Sequence, residues 1–167
     1  MKMRWLLYVV FLSGCTMIKF NISKKPPHNQ LIGTVWKLKT DAYVVQYFDE
    51  WIPSYYIVPC VNEKLLYLPD SVDLEFNEKN VGVYDNLVKI VGAFKKNSRF
   101  RIVKVLKETN WELGPSYQPI MIFLGEDKWA KNKKFDAEIL YQDYEKKGIL
   151  NPKYAEKISI QNEDIMK

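Results

Sequence analysis

Two β-prone runs, Leu87-Val88-Lys89-Ile90-Val91-Gly92-Ala93-Phe94 and Arg99-Phe100-Arg101-Ile102-Val103-Lys104-Val105-Leu106, flank the polar tetrapeptide Lys95-Lys96-Asn97-Ser98. Nothing else in the chain constrains its fold as strongly. Runs of branched and aromatic residues on either side of a turn predict an antiparallel hairpin. In the second run Phe100 and Ile102 keep one parity while Val103 and Val105 take the other, so a bulge is expected near Ile102. A period of two recurs elsewhere: Thr34, Trp36 and Leu38 against Val35, Lys37 and Lys39; then Tyr43, Val45 and Tyr47; then Val72, Leu74 and Phe76; and finally Phe135, Ala137, Ile139 and Tyr141. Residues 56–68 offer two more short strands, and the unbroken apolar stretch at 119–124 predicts a strand covered on both faces. Residues 109–118, around Gly114-Pro115, read as a loop. Asn151-Pro152 reads as a cap and first helical position, opening a short C-terminal helix to about Ile158. Roughly seven to nine short strands with little helix place the chain in the mainly β class, as a single small antiparallel barrel or a sandwich.

With Cys15 lipidated, as its sequence context below implies, no intramolecular disulfide is expected and the core must hold this fold. Cys15 and Cys60 are the only cysteines. Cys60, in a β-prone run, reads as a buried inert thiol. Aromatic residues supply the apolar area: 11 tyrosines and 5 tryptophans in a 47% hydrophobic chain, each able to bury about 150–250 Å². From Gly33-Thr34-Val35-Trp36-Lys37-Leu38 to the Lys95-Lys96-Asn97-Ser98 turn, the strand rhythm resembles that of the SH3-like barrels of bacterial envelope proteins over residues 31–125. No ligand motif accompanies the likeness.

The N-terminus carries a different message. Lys2 and Arg4 precede the apolar run Trp5-Leu6-Leu7-Tyr8-Val9-Val10-Phe11, which Ser13 and Gly14 end. A membrane-spanning helix needs about 20 apolar residues, so the pattern is that of a secretory signal. Leu12-Ser13-Gly14-Cys15 resembles the lipobox of bacterial lipoproteins. That resemblance implies a diacylglyceryl group on the Cys15 thiol, cleavage between Gly14 and Cys15, and a new amino group open to acylation (the palmitate-type anchor). Thr16, in place of Asp, resembles the enteric pattern for transfer to the outer membrane. The expected location is the cell envelope, lipid-anchored and facing the periplasm. The expected division is a signal peptide at 1–14, a flexible lipid-anchored tether at 15–30 containing Pro26-Pro27-His28, a β-domain at 31–158 and a polar tail at 159–167.

Charge and motifs then narrow the function. Loss of Lys2 and Arg4 from the 25 basic residues leaves 23 against 20 acidic ones, a balance too mild for a nucleic-acid binder. His28 is the only histidine, and a histidine-based hydrolase needs its base held by a rigid scaffold. No nucleotide-binding, zinc-protease or nucleophile-elbow motif occurs, and no cofactor or metal is expected. Carboxylates remain: Asp49-Glu50, Asp70 with Asp73 and Glu75, and Asp136 with Glu138. The strand-borne pairs read as solvated outer faces.

The aromatic segment around Asp49 and Glu50 is the candidate binding site. Tyr47, Phe48, Trp51, Tyr55 and Tyr56 crowd these carboxylates, and such rings dominate interface energetics when exposed. The alternative is that they plug one end of the core. A fainter candidate is the loop containing Trp111 and Tyr117. The function expected from these features is a non-catalytic protein-binding lipoprotein, in its sharpest form an immunity protein against a periplasmic toxin. An accessory role in a secretion or cell-wall machine, and a carboxylate-dependent envelope enzyme, are the alternatives.

Overall fold

The computed structural model describes residues 18–48, 54–60, 76–84, 88–110 and 114–159. Cys15, Asp49, Glu50, Trp51, Trp111 and the expected strand positions Val72 and Leu74 lie outside these residues. Among the described residues nine strands follow in chain order: β1 (Ile18–Asn21), β2 (Val35–Leu38), β3 (Ala42–Tyr47), β4 (Tyr55–Pro59), β5 (Val88–Phe94), β6 (Arg99–Asn110), β7 (Gly114–Phe123), β8 (Lys134–Asp136) and β9 (Ala155–Ile158). A single-turn helix, α1 (Glu138–Tyr141), follows β8. The strands form one sheet in the order β5-β3-β4-β8-β7-β6-β2-β9, with β1 added on β6. Every pairing is antiparallel except β4 with β8. The mainly β expectation holds, but the sheet is open and not closed into a barrel, with β5 and β9 as its ends.

The expected hairpin does not form between residues 88–94 and 99–106. β5 pairs with β3, whereas β6 pairs with β7, β2 and β1. Between the two runs the turn binds β2 instead: Asn97 N–H donates to Leu38 O, and Leu38 N–H donates to Ser98 O. Four strands separate β5 from β6 in the sheet, about 24 Å at the usual interstrand spacing. Nevertheless the Phe94 and Phe100 rings meet edge to face at 4.8 Å. The sheet therefore curls back on itself, and the two runs face each other across the core. Phe123, Trp129 and Phe135 complete the ring cluster around Phe94. The Trp129 indole lies directly on Gly92, where any Cβ would overlap it.

The expected bulge is present: the β6–β7 register shifts between Ile102 and Lys104. Ile102 and Val105 are thereby both fully buried, which strict alternation forbids. β3 is covered on both faces. Ala42 and Val44 belong to the main core, and Tyr43 and Val45 to a smaller cluster on the other side. The Tyr43 hydroxyl is satisfied there, accepting from Asn77 N–H at 2.7 Å and from Asn80 Nδ2 at 2.8 Å.

Four further expectations are corrected. The first is the tether, which from residue 18 onward is part of the fold. β1 pairs with β6, Ile22 and Leu31 are buried, and so is His28. β1 and β2 lie end to end along the same side of β6, and Ile22 N–H to Val105 O and Gly33 N–H to Ile102 O hold the intervening chain at that edge. Secondly, residues 135–141 are not one strand. The Asp136 carboxylate accepts Glu138 N–H at 2.8 Å, an Asx turn that breaks the extended run and starts α1. Thirdly, Asn151-Pro152 opens a single turn and not a helix. Asn151 Oδ1 accepts Lys153 N–H, and the chain then runs into β9 against β2. The loop expected at 109–118 is likewise mostly strand, because β6 and β7 pair from Phe100–Phe123 to Asn110–Gly114.

Candidate functional site

Two of the residues expected to form one binding patch, Tyr55 and Tyr56, lie on β4, where neighbours in sequence point to opposite sides. Tyr56 is buried in the smaller cluster and meets Tyr47 edge to face at 5.3 Å. Tyr55 turns to the main core, tilted against Phe135, and its ring receives the Lys133 ammonium at 4.9 Å. Phe48 is 52% exposed. Of the seven expected residues, Tyr55 and Tyr56 thus pack inward, while Phe48 stands at the surface beside Asp49 and Glu50 in sequence.

Two polar clusters near β6 and β7 were not read from the sequence. In the first, His28 Nδ1 lies 2.7 Å from the Tyr141 hydroxyl, and that hydroxyl donates to Glu145 O at 3.1 Å. With the phenol proton directed to Glu145, the Nδ1–H tautomer completes the chain of bonds. Tyr117 stacks on the imidazole at 5.0 Å. Burial lowers the His28 pKa from its ordinary value, Glu145 opposes the shift, and Lys107 adds to it. Burial also pushes the Tyr141 phenol upward. Gly148 closes over this arm, and a Cβ there would collide with the Pro27 backbone.

The second cluster lies on the other face of β6. Lys19 pairs with Glu108 at 3.0 Å, and Gln118 Nε2 donates to Glu108 at 2.8 Å and, more distantly, to Glu138 at 3.4 Å. Burial raises the Glu138 pKa, hydrogen bonds from Gln118 and Ser116 restrain it, and Glu108 adds to the rise. Asp136 is buried and Glu138 half-buried, so the solvated outer face expected for this pair is corrected. The Glu108–Gln118–Glu138 connection depends on β6–β7 pairing, which the loop reading of residues 109–118 concealed.

Two carboxylates joined by one carboxamide, with Glu138 shifted by burial toward its protonated form, resemble an acid/base pair in composition. Here their oxygens are spent on Lys19, Gln118 and Ser116, which makes the arrangement a structural brace between β1, β6, β7 and α1. Among the described residues no group of three His, Cys, Asp or Glu side chains could hold a metal ion. Cys60 is half-buried and free, its thiol pushed up to about 12 by burial. No helix among the described residues is long and apolar enough to cross a membrane. No family model, curated protein or solved structure matches the chain.

Proposed function

We propose that this chain is a lipid-anchored protein of the bacterial cell envelope, facing the periplasm, that acts by binding another protein and performs no catalysis of its own. The observation that carries the proposal is Leu12-Ser13-Gly14-Cys15 behind a basic start and a short apolar run. Such a leader is too short to span a bilayer, while acylation at Cys15 with more than one chain gives stable attachment. The internal commitment of His28, Glu108 and Glu138 supports a binding role, since these groups brace the fold. Phe48, exposed and followed in sequence by Asp49-Glu50, is the contact we assign to the partner, and acidic residues next to it in sequence suit a basic cleft. An immunity protein occluding a toxin's active site is the specific form of this reading.

Replacement of Cys15 by Ser tests the anchor: the protein should lose its acyl mass and move to the soluble fraction. Affinity capture of the lipidated protein from membranes tests the partner. Phe48→Ala should reduce the captured partner severalfold with the melting temperature unchanged. Capture of a secretion or cell-wall component in place of a toxin would reassign the protein to an accessory role.

A further inference from the structure

β1 is an edge strand with two unlike faces. On one face its charge is neutralised by an ion pair, the exposed Lys19 lying opposite the more buried Glu108 in the register and bonded to it. On the other face Ile18 is 51% and Phe20 52% exposed. Register places Ile18 opposite Thr109 and Phe20 opposite Lys107, so these side chains share a face. Lys25 joins them around a shallow groove of about 350 Å³ lined by Phe20, Asn21, Ile22, Lys25, Lys107 and Thr109. Among the described residues neither Lys25 nor Lys107 pairs with a carboxylate. Two large apolar side chains flanked by uncompensated ammonium groups form an amphipathic surface.

The position of this surface in the chain identifies its occupant. Cys15 precedes Ile18 by three residues, a reach of at most about 11 Å. An acyl chain on Cys15 therefore enters the bilayer beside Ile18 and Phe20, and the arm that follows is packed on β6. We propose that this β1 face rests on an anionic lipid bilayer, with Ile18 and Phe20 entering the headgroup boundary and Lys25 and Lys107 meeting lipid phosphates. The inference builds on the lipoprotein reading and adds a second membrane contact, one that fixes the orientation of the domain. Apolar insertion combined with basic residues is the usual pattern of interfacial binding.

The test uses the mature chain, residues 15–167, which contains every described element, with Cys15→Ser. It is sedimented with vesicles of phosphatidylcholine alone or mixed with phosphatidylglycerol. Binding should be about tenfold stronger to the anionic vesicles and should fall with added salt. Ile18→Asp with Phe20→Asp, and separately Lys25→Glu with Lys107→Glu, should each lower it about tenfold with the melting temperature kept. Equal binding to both vesicle types, or none, overturns the proposal. So does a concentration-dependent dimer that Phe20→Asp dissolves while vesicles are ignored, since the face then meets a second copy. The mass of the wild-type protein extracted from membranes reports acylation separately. An acylated chain whose Cys15→Ser form ignores vesicles keeps its anchor and loses this face, and an unacylated chain that binds vesicles does the reverse.

Discussion

The His28 imidazole and the Tyr141 hydroxyl meet at 2.7 Å although 113 positions separate them. This bond joins the N-terminal arm to the segment that follows β8, with Tyr117 of β7 stacked on the same imidazole.

His28→Ala should cost about 1–3 kcal/mol in a denaturant titration, because it removes both a buried hydrogen bond and a ring contact. The bond is also pH-sensitive. The folded-state pKa lies below the ordinary 6.5, so protonation favours the unfolded chain. Stability present above pH 6.5 is lost as pH falls through the folded value. His28→Gln, which cannot titrate, should flatten that acid limb of the melting curve.

Glu138 has the opposite sign. Its pKa is raised from the ordinary 4.5, so its contribution is fully present below that value and is lost as pH rises through the folded one. Glu138→Gln removes the buried charge beside Glu108 and offers it a donor. At neutral pH the melting temperature should rise by about 2–4 °C, and the gain should vanish in acid.

Gly92 is set by close approach of a side chain. Gly92→Val places a branched side chain into the Trp129 ring and should cost about 1–3 kcal/mol. Combining it with Trp129→Ala should recover part of the loss relative to the sum of the single changes, as a double-mutant cycle measured by thermal melting.

Cys60 should be slow to alkylate. With its thiol pushed up to about 12, almost no thiolate exists at pH 8. Iodoacetamide should modify the folded protein far more slowly than the urea-unfolded one, as read by intact mass.

Much of this architecture was legible in local pattern. Period-two alternation located strands at 35–38 and 42–47, a β-prone run marked the strand at 88–94, and the parity change between Ile102 and Val103 announced the β6 bulge. The candidate site was legible only in part. Adjacent aromatics such as Tyr55 and Tyr56 look like one cluster in sequence, but a strand sends them to opposite faces. His28 and Glu108 gave no local signal, since their partners Tyr141 and Gln118 come from other elements.

The sequence by itself determined the mainly β class and the expectation of a lipid anchor at Cys15. These depend on residue identity and short-range spacing. Only the tertiary structure decided that residues 18–30 pack on β6, that residues 88–94 pair with β3 and not across their own turn, and that residues 138–141 turn helical. Strand partners and burial are set by contacts between segments far apart in the chain. A polar arm rich in lysine and proline resembles a tether until Ile22, His28 and Leu31 find the hydrophobic and hydrogen-bonding sites that hold it.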